Sequence, residues 1–333
     1  IGVALNMKYC YFTSFLLGVG AIAENNKAAI ACKVTQIILS FILLFLGYGL
    51  LGISIAYLLS GIVIRICSKF YFDRYENIGT KLRQVQSKVP WSDIKHTFKI
   101  IWHNASKDGL VTLANYLNTQ ANTLICSSVL GLATTGSYGL SVQLTSVVAT
   151  IAGIPFSSAL PKLQEKAVTN DKEGGQSLFS GTMVLFVISY VILIGAVVAM
   201  LPVIKWLKPT LMINVSMFLA IAILGFMNQI YHYNASLIST FNVLPYPKAF
   251  IISSIISVVG SYFLARYSSM GVWSLIVSPI VVTIIYNLWK WPSYVLNIYE
   301  TNLWAFCKEG CRYAVLYCSS ILKKSNSHIV VND

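Results

Sequence analysis

The chain has 333 residues, of which 56% are hydrophobic and only 11% charged, and its mean hydropathy is +0.70. A soluble domain carries about 25% charged residues, so that class is excluded and a membrane protein is indicated. The formal net charge of +13 does not call for nucleic acid, because its Lys and Arg residues cluster beside apolar runs, as retention of positive charge in the cytoplasm requires.

A helix needs roughly 20 apolar residues to cross a bilayer. In chain order the candidate spans are residues 4–23, 29–47, 50–67, 105–129, 137–159, 178–201, 211–237, 249–266 and 271–289. None alternates as a barrel strand would, so the expected fold is an all-α integral membrane protein, a polytopic bundle with about nine spans. The loop 68–98 holds Lys69, Arg74, Lys81, Arg83, Lys88 and Lys95 and is therefore placed in the cytoplasm. Counting outward from it, Lys27, the loop "PKLQEKAVTNDKEGGQ", Lys248 and the tail after Lys290 fall on the same side. Lys205 and Lys208 are the exception. Lys33 and Arg65 lie within a turn or two of the cytoplasmic edge, where topology accounts for them.

The seven cysteines form no C-x-x-C pair. Cys10, Cys32, Cys67 and Cys126 read as small buried hydrophobes, and Cys307, Cys311 and Cys318 as reduced thiols of a basic tail. No metal site or cofactor is expected.

One pattern occurs twice. "NMKYCYFTS" and "NQIYHYNAS" both read Asn-x-x-Tyr-x-Tyr-x-x-Ser, with Asn6, Tyr9, Tyr11 and Ser14 matched by Asn228, Tyr231, Tyr233 and Ser236 at a constant spacing of 222 residues, from 6 to 228. Lys27 and Lys248 both begin the following span, and both of those spans end in a short glycine-containing link. Each copy opens a span running toward the cytoplasm, which predicts parallel repeats. With six spans per repeat, residues 1–67 are the last three spans of an N-terminal lobe and residues 68–97 a basic inter-lobe loop. Residues 98–290 are then a complete C-terminal lobe and residues 291–333 a cytoplasmic tail. The start at Ile1 fits a chain that lacks about three spans of a twelve-span, two-lobe whole.

Polar residues inside spans are expensive and mark candidate sites. Asn104, Asp108, Asn115, Asn118 and Asn122 recur at helical spacing along one face of the fourth span. Such a stripe faces either a water-filled cavity or another helix by hydrogen bonds. Gln143 and Thr145 in the next span, and Asn228, Gln229, His232 and Asn234 in the second motif copy, extend the same lining. Tyr9, Tyr11, Tyr231 and Tyr233 are suited to stacking on sugar rings or to helix packing. Tyrosines two residues apart do not share a helix face, so packing is expected for one of each pair. Lys8 lies far from the cytoplasmic edge and either snorkels outward or contacts an anion. His103, Lys107 and Asp108 form a solvated cap or take part in ion coupling. No hydrolase, zinc-protease or nucleotide-binding motif occurs in a usable context, so no catalytic residues are expected.

The segments "IIWHNASKDGLVTLANYLNTQANTLI" and "LGLATTGSYGLSVQLTSVVATIAGIPFSSALPKL", with the hairpin "NKAAIACKVTQIILSFILLFLGYGLLGISIAYLLSG", resemble polysaccharide transporters of the bacterial multidrug, oligosaccharidyl-lipid and polysaccharide exporter superfamily, especially O-antigen flippases. The resemblance covers nearly the whole chain through diffuse patterns. It implies movement of undecaprenyl-diphosphate-linked oligosaccharide repeat units across the bacterial inner membrane by alternating access, coupled to a cation gradient, with the C-terminus cytoplasmic. It implies that Lys8 meets the diphosphate, that membrane lipids are partners, and that a polysaccharide polymerase and a chain-length regulator are further ones. Rival readings are a drug/cation antiporter of the same superfamily, a membrane glycosyltransferase or polymerase, and a non-transporting scaffold whose tail lies on the membrane as an amphipathic helix.

Overall fold

The computed structural model describes residues 10–19, 21–75, 90–207 and 213–329. Asn6, Lys8, Tyr9 and residues 76–89 of the basic loop lie outside the described residues. All regular structure among the described residues is helical, and contacts divide the chain into two compact units, residues 1–95 and 96–333.

In the first unit α1 (Cys10–Gly18) is followed by α2 (Ile22–Phe45) and α3 (Gly49–Arg74). The second helix starts seven residues before the expected residue 29, because "AENNK" continues the helix and Glu24 in its first turn suits the positive helix end. Phe72 packs edge-on against Phe12 and Phe15 at 5.1 and 4.8 Å, which fixes α1 to α3. The α2–α3 link is three residues long. Gly49 opens α3 at φ +51°, a left-handed conformation that glycine adopts without strain.

In the second unit α4 (Trp91–Tyr116) continues through a π turn at Leu117–Ala121, one α turn at Asn122–Ile125 and another π turn at Cys126–Leu130. It begins well before the expected span start at 105, inside the segment read as loop. After it come α5 (Leu132–Ala152), α6 (Ile154–Val168), α7 (Lys172–Leu207), α8 (Val215–Thr240) and α9 (Pro247–Tyr267). Next is α10 (Gly271–Ile298), which holds a π turn at Thr283–Asn287, and then α11 (Leu303–Ile329). Among the described residues six helices, α2, α3 and α7 to α10, are long and apolar enough to cross a membrane. The α5–α6 pair, bent by 47° at its break, passes the same test only when its two helices are taken together, as a broken span or a re-entrant loop. The polar stripe of α4 keeps it out of this set, and of the first expected span only residues 10–19 and 21–23 are described.

Helix α10 runs past the expected end at 289, burying Trp291 and Val295 in the core. The tail helix α11 packs along α7. A Cβ at Gly310 would sit 2.6 Å from the Ser180 carbonyl oxygen and one at Gly181 would overlap the Tyr313 ring, so two glycines set this close crossing. Ion pairs Lys166–Asp171 and Lys172–Glu300, both 2.6 Å, gather the α6–α7 and α10–α11 links at one end of the unit. That clustering agrees with their expected placement on one side of the membrane.

The link before α10 matches the one before α3. Residues 46–48 and 268–270 stand at the same spacing of 222, and Gly271 at φ +56° corresponds to Gly49. The likeness is confined to that glycine and the residue before it: Leu46 is helical at φ -73° and ψ 0° where Ser268 is extended at φ -113° and ψ 159°, and Gly47 is left-handed at φ +83° where Ser269 is not.

Candidate substrate cavity

Two of the apolar clusters of the second unit flank its polar residues. One contains Ala114, Phe156, Phe179, Tyr231, Phe250, Trp291 and Val295. The other contains Ile125, Cys126, Tyr138, Ile221, Ala265 and Leu275. On nearly every helix the residues between those clusters are polar: Asn118 and Asn122 on α4, Thr145 on α5, Asn228 on α8, Ser253 and Ser257 on α9, Thr283 and Asn287 on α10. Asn228 and Ser257 lie near the midpoints of their helices, so this layer stands near mid-membrane if α8 and α9 span it.

Two hydrogen bonds cross-link the layer between helices, and a third, from Trp291, lies within α10. Asn118 Nδ2 donates to Ser254 Oγ at 2.9 Å, Asn287 Nδ2 to Ser253 Oγ at 3.0 Å, and Trp291 Nε1 to Asn287 Oδ1 at 3.0 Å. Asn118 and Asn287 lie in π turns, which re-aim side chains and recur at functional sites. The network leaves capacity unused. Asn118 Oδ1, Asn122 Oδ1, Thr145 Oγ1 and Ser257 Oγ are buried and make no hydrogen bond. An unpaired buried group costs about 1–3 kcal/mol, so four around one space describe a site built for water or a polar ligand.

That space is a cavity of 110 Å³. A second of 260 Å³, sharing Asn118, Thr145 and Asn228 as walls, adds Asn115, Gln229 and His232. No Asp, Glu, Lys or Arg among the described residues lines either. Beside them an outward groove of 480 Å³ runs along Ala249, Ile252 and Ile256 of α9 and Ile285 of α10, with Lys248 at one end. Ser253 and Val282 face both the polar cavity and this apolar groove.

The structure thus brings together Asn115, Asn118, Asn122, Asn228, Gln229 and His232 from the expected lining. It removes three others, of which Asn234 lines an apolar pocket of α7, α8, α10 and α11 instead, its Nδ2 donating to the Ile230 carbonyl at 2.8 Å. Gln143 is exposed, because it lies about 200° around α5 from buried Thr145. Asp108 is exposed about 15 Å before Asn118 along α4 and lines neither cavity. Its charge is felt instead by Tyr246, whose phenol is pushed up first by burial and then by Asp108. Lys107 also lies off the cavity. The backbone of His103 and Asn104 belongs to α4, but their side chains, like Lys8, lie outside the described set.

The tyrosines of the second motif copy both pack. Tyr231 meets Phe250 at 5.0 Å while its other side lines the cavity. Tyr233 lies 4.3 Å from Phe156 and holds its hydroxyl over Gly153, at the α5–α6 bend. Sequence reading missed Ser253, Ser257, Thr283 and Asn287. The signal was present in α9, where Ser254, Ser257 and Ser261 recur at helical spacing and are buried. Compared with family models, curated proteins and solved structures, the chain matches none.

Proposed function

We propose that the chain belongs to a transporter that moves lipid-linked oligosaccharides across the bacterial inner membrane, serving surface polysaccharide synthesis. The observation that carries this reading is the mid-helix cavity with four unpaired, uncharged polar groups and no carboxylate or cation in its lining. Neutral hydrogen-bonding groups suit sugar hydroxyls, which both donate and accept. A cation or drug antiporter requires a carboxylate deep in the membrane, and Asp108, the expected candidate, stands off the cavity. The adjoining apolar groove supports an amphiphilic substrate, whose polar head enters the cavity while its hydrocarbon stays at the lipid-facing wall. Sites for drug-sized ligands measure about 300–1,000 Å³, so spaces of 110 and 260 Å³ must widen to pass an oligosaccharide. Alternating access between two six-span lobes, twelve spans in the whole protein, provides that widening.

The test is surface polysaccharide in a flippase-null bacterium that carries the matching glycan pathway, complemented by this gene. Restored polymer that is lost again in Ser257→Leu, which fills the cavity, at unchanged membrane levels is the expected result. No restoration at normal membrane levels sinks the reading, and restored drug resistance in its place redirects it to the antiporter.

A further inference from the structure

The first unit holds a pocket of its own. It measures 310 Å³ and is lined by Lys33 and Gln36 of α2, Tyr57, Ser60, Arg65 and Ser68 of α3, and Cys10 of α1, among others. Topology alone explains two cations near a membrane edge. It does not explain their convergence on one space with no Asp or Glu among the described residues of its lining, nor the hydroxyl beside them. Ser68 is 1% exposed and its Oγ makes no hydrogen bond. Lys33 Nζ reaches Gln36 Oε1 only at 3.4 Å.

Depth adds to this. Helix α3 has 26 residues, about 39 Å, some 9 Å more than the hydrocarbon core. If that surplus projects at the end bearing Lys69, Asp73 and Arg74, Arg65 lies about one turn below the headgroup zone, within reach of a lipid phosphate. Position in the repeat adds an independent reason. Adding 222 to Tyr57, Ser60, Gly61 and Arg65 gives Pro279, Val282, Thr283 and Asn287, which line the neutral cavity of the second unit, and Cys10 maps onto His232. Part of the same hairpin face thus lines a pocket in both units, while Lys33 and Ser68 map onto Ile255 and Lys290, which line neither polar cavity of the second unit.

We propose that the Lys33–Arg65–Ser68 pocket binds a phosphate group, presented by a lipid headgroup or by a free phosphate ion. Both cations match a phosphate's charge, Arg65 by its forked donors and Lys33 as a point charge, while Ser68 supplies a neutral donor. The site stands apart from the transport reading, since a phosphate can occupy it whether or not the chain moves sugars.

The test uses the full purified chain in detergent, with native mass spectrometry counting retained phosphatidylglycerol against neutral diacylglycerol, and calorimetry with inorganic pyrophosphate. Lys33→Gln/Arg65→Gln is compared with the charge-matched Lys27→Gln/Arg74→Gln, whose residues lie outside the pocket. Ser68→Ala deletes a hydroxyl without a partner, so it leaves folding intact yet weakens binding about tenfold, as a lost hydrogen bond to a charged group does. Phosphatidylglycerol retained by the wild type and the control pair, but lost in the pocket variants, establishes the site with a lipid source. The same pattern for pyrophosphate alone establishes it with a free-ion source. Equal losses in the pocket and control pairs, no binding of either probe, or full retention in Ser68→Ala overturns the proposal.

Discussion

Asn287→Leu tests whether the polar layer of the second unit is structural as well as functional. Asn287 is 3% exposed and serves as donor to Ser253 and acceptor from Trp291, itself 2% exposed. Interhelical hydrogen bonds in membranes are worth about 0.6 kcal/mol on average and about 1.7 at most, and a stranded buried donor adds about 1–3 kcal/mol. Loss of the interhelical bond to Ser253, with the Trp291 N–H of the same helix stranded, therefore costs about 2–4 kcal/mol. Ser257→Ala is the counter-case. Its hydroxyl is buried without a partner, so removal changes stability little or raises it, while impairing transport. Equilibrium unfolding in mixed micelles of increasing denaturing-detergent fraction reads both. A cost for Asn287→Leu below about 0.5 kcal/mol, or a Ser257→Ala cost equal to it, refutes the division into bonded and ligand-facing groups.

The bend at Gly153 and the tail crossing give two further perturbations. Gly153→Ala drives a methyl into the Tyr233 hydroxyl and is expected to cost about 1–3 kcal/mol in the same assay; Tyr233→Phe in that background recovers most of the loss. Gly310→Leu wedges α11 from α7 at the Ser180 carbonyl. A cysteine pair replacing Ser177 and Glu309, whose side chains meet at 3.0 Å, is expected to crosslink on a cysteine-free background and to fail with Gly310→Leu. The α6–α7 link responds to pH. The Lys166 contact holds the Asp171 carboxyl below the usual carboxylate range, and Lys172 does the same for Glu300. With folded values depressed, their contribution is present above the ordinary carboxylate pKa and fades as pH falls through the lowered values. Protection of the Gly174 amide, which donates to Asp171 Oδ1 at 2.9 Å, should therefore drop in acid after correction for intrinsic exchange.

The helices and half of the cavity were legible because both rest on periodicity. Apolar runs placed α7, α8 and α9 to within about six residues, although α4 begins 14 residues before its expected start and α10 runs nine past its expected end. The Asn spacing on α4 placed Asn115, Asn118 and Asn122 on a common lining. The other half was hidden for physical reasons. Asn287 reads as an isolated polar residue near a span end, and only a π turn and the extension of α10 to Ile298 turn it inward. Serines are small enough to pass for packing residues, so the α9 stripe carries little hydropathy signal. Spacing also overreached, since Asp108 keeps the phase of the stripe but lies at the level of Tyr246. A helical face is inherited along the whole helix, whereas a cavity exists only where neighbouring helices leave room.

The repeat shows how one frame carries two chemistries. The two units share a three-residue link and a left-handed glycine at 49 and 271, although Leu46 is helical where Ser268 is extended and Gly47 is left-handed where Ser269 is not. The side chains at matched positions then diverge: Gly61 answers to Thr283 and Arg65 to Asn287. Asn287 is satisfied within the protein by Ser253 and Trp291, so the neutral cavity offers a ligand its spare hydroxyls and carbonyl oxygens. A guanidinium at the matched position offers donors and no acceptor, which restricts the first unit's pocket to anions. Exchanging the two residues separates frame from chemistry. Arg65→Asn abolishes phosphate retention while leaving α2 and α3 folded. Asn287→Arg places a cation of that reach where the protein has only hydroxyls and carbonyls to meet it, and destabilises the second unit by more than Asn287→Leu does. Equal destabilisation by the two Asn287 variants, measured in the unfolding assay, contradicts the assignment of that cavity to uncharged ligands.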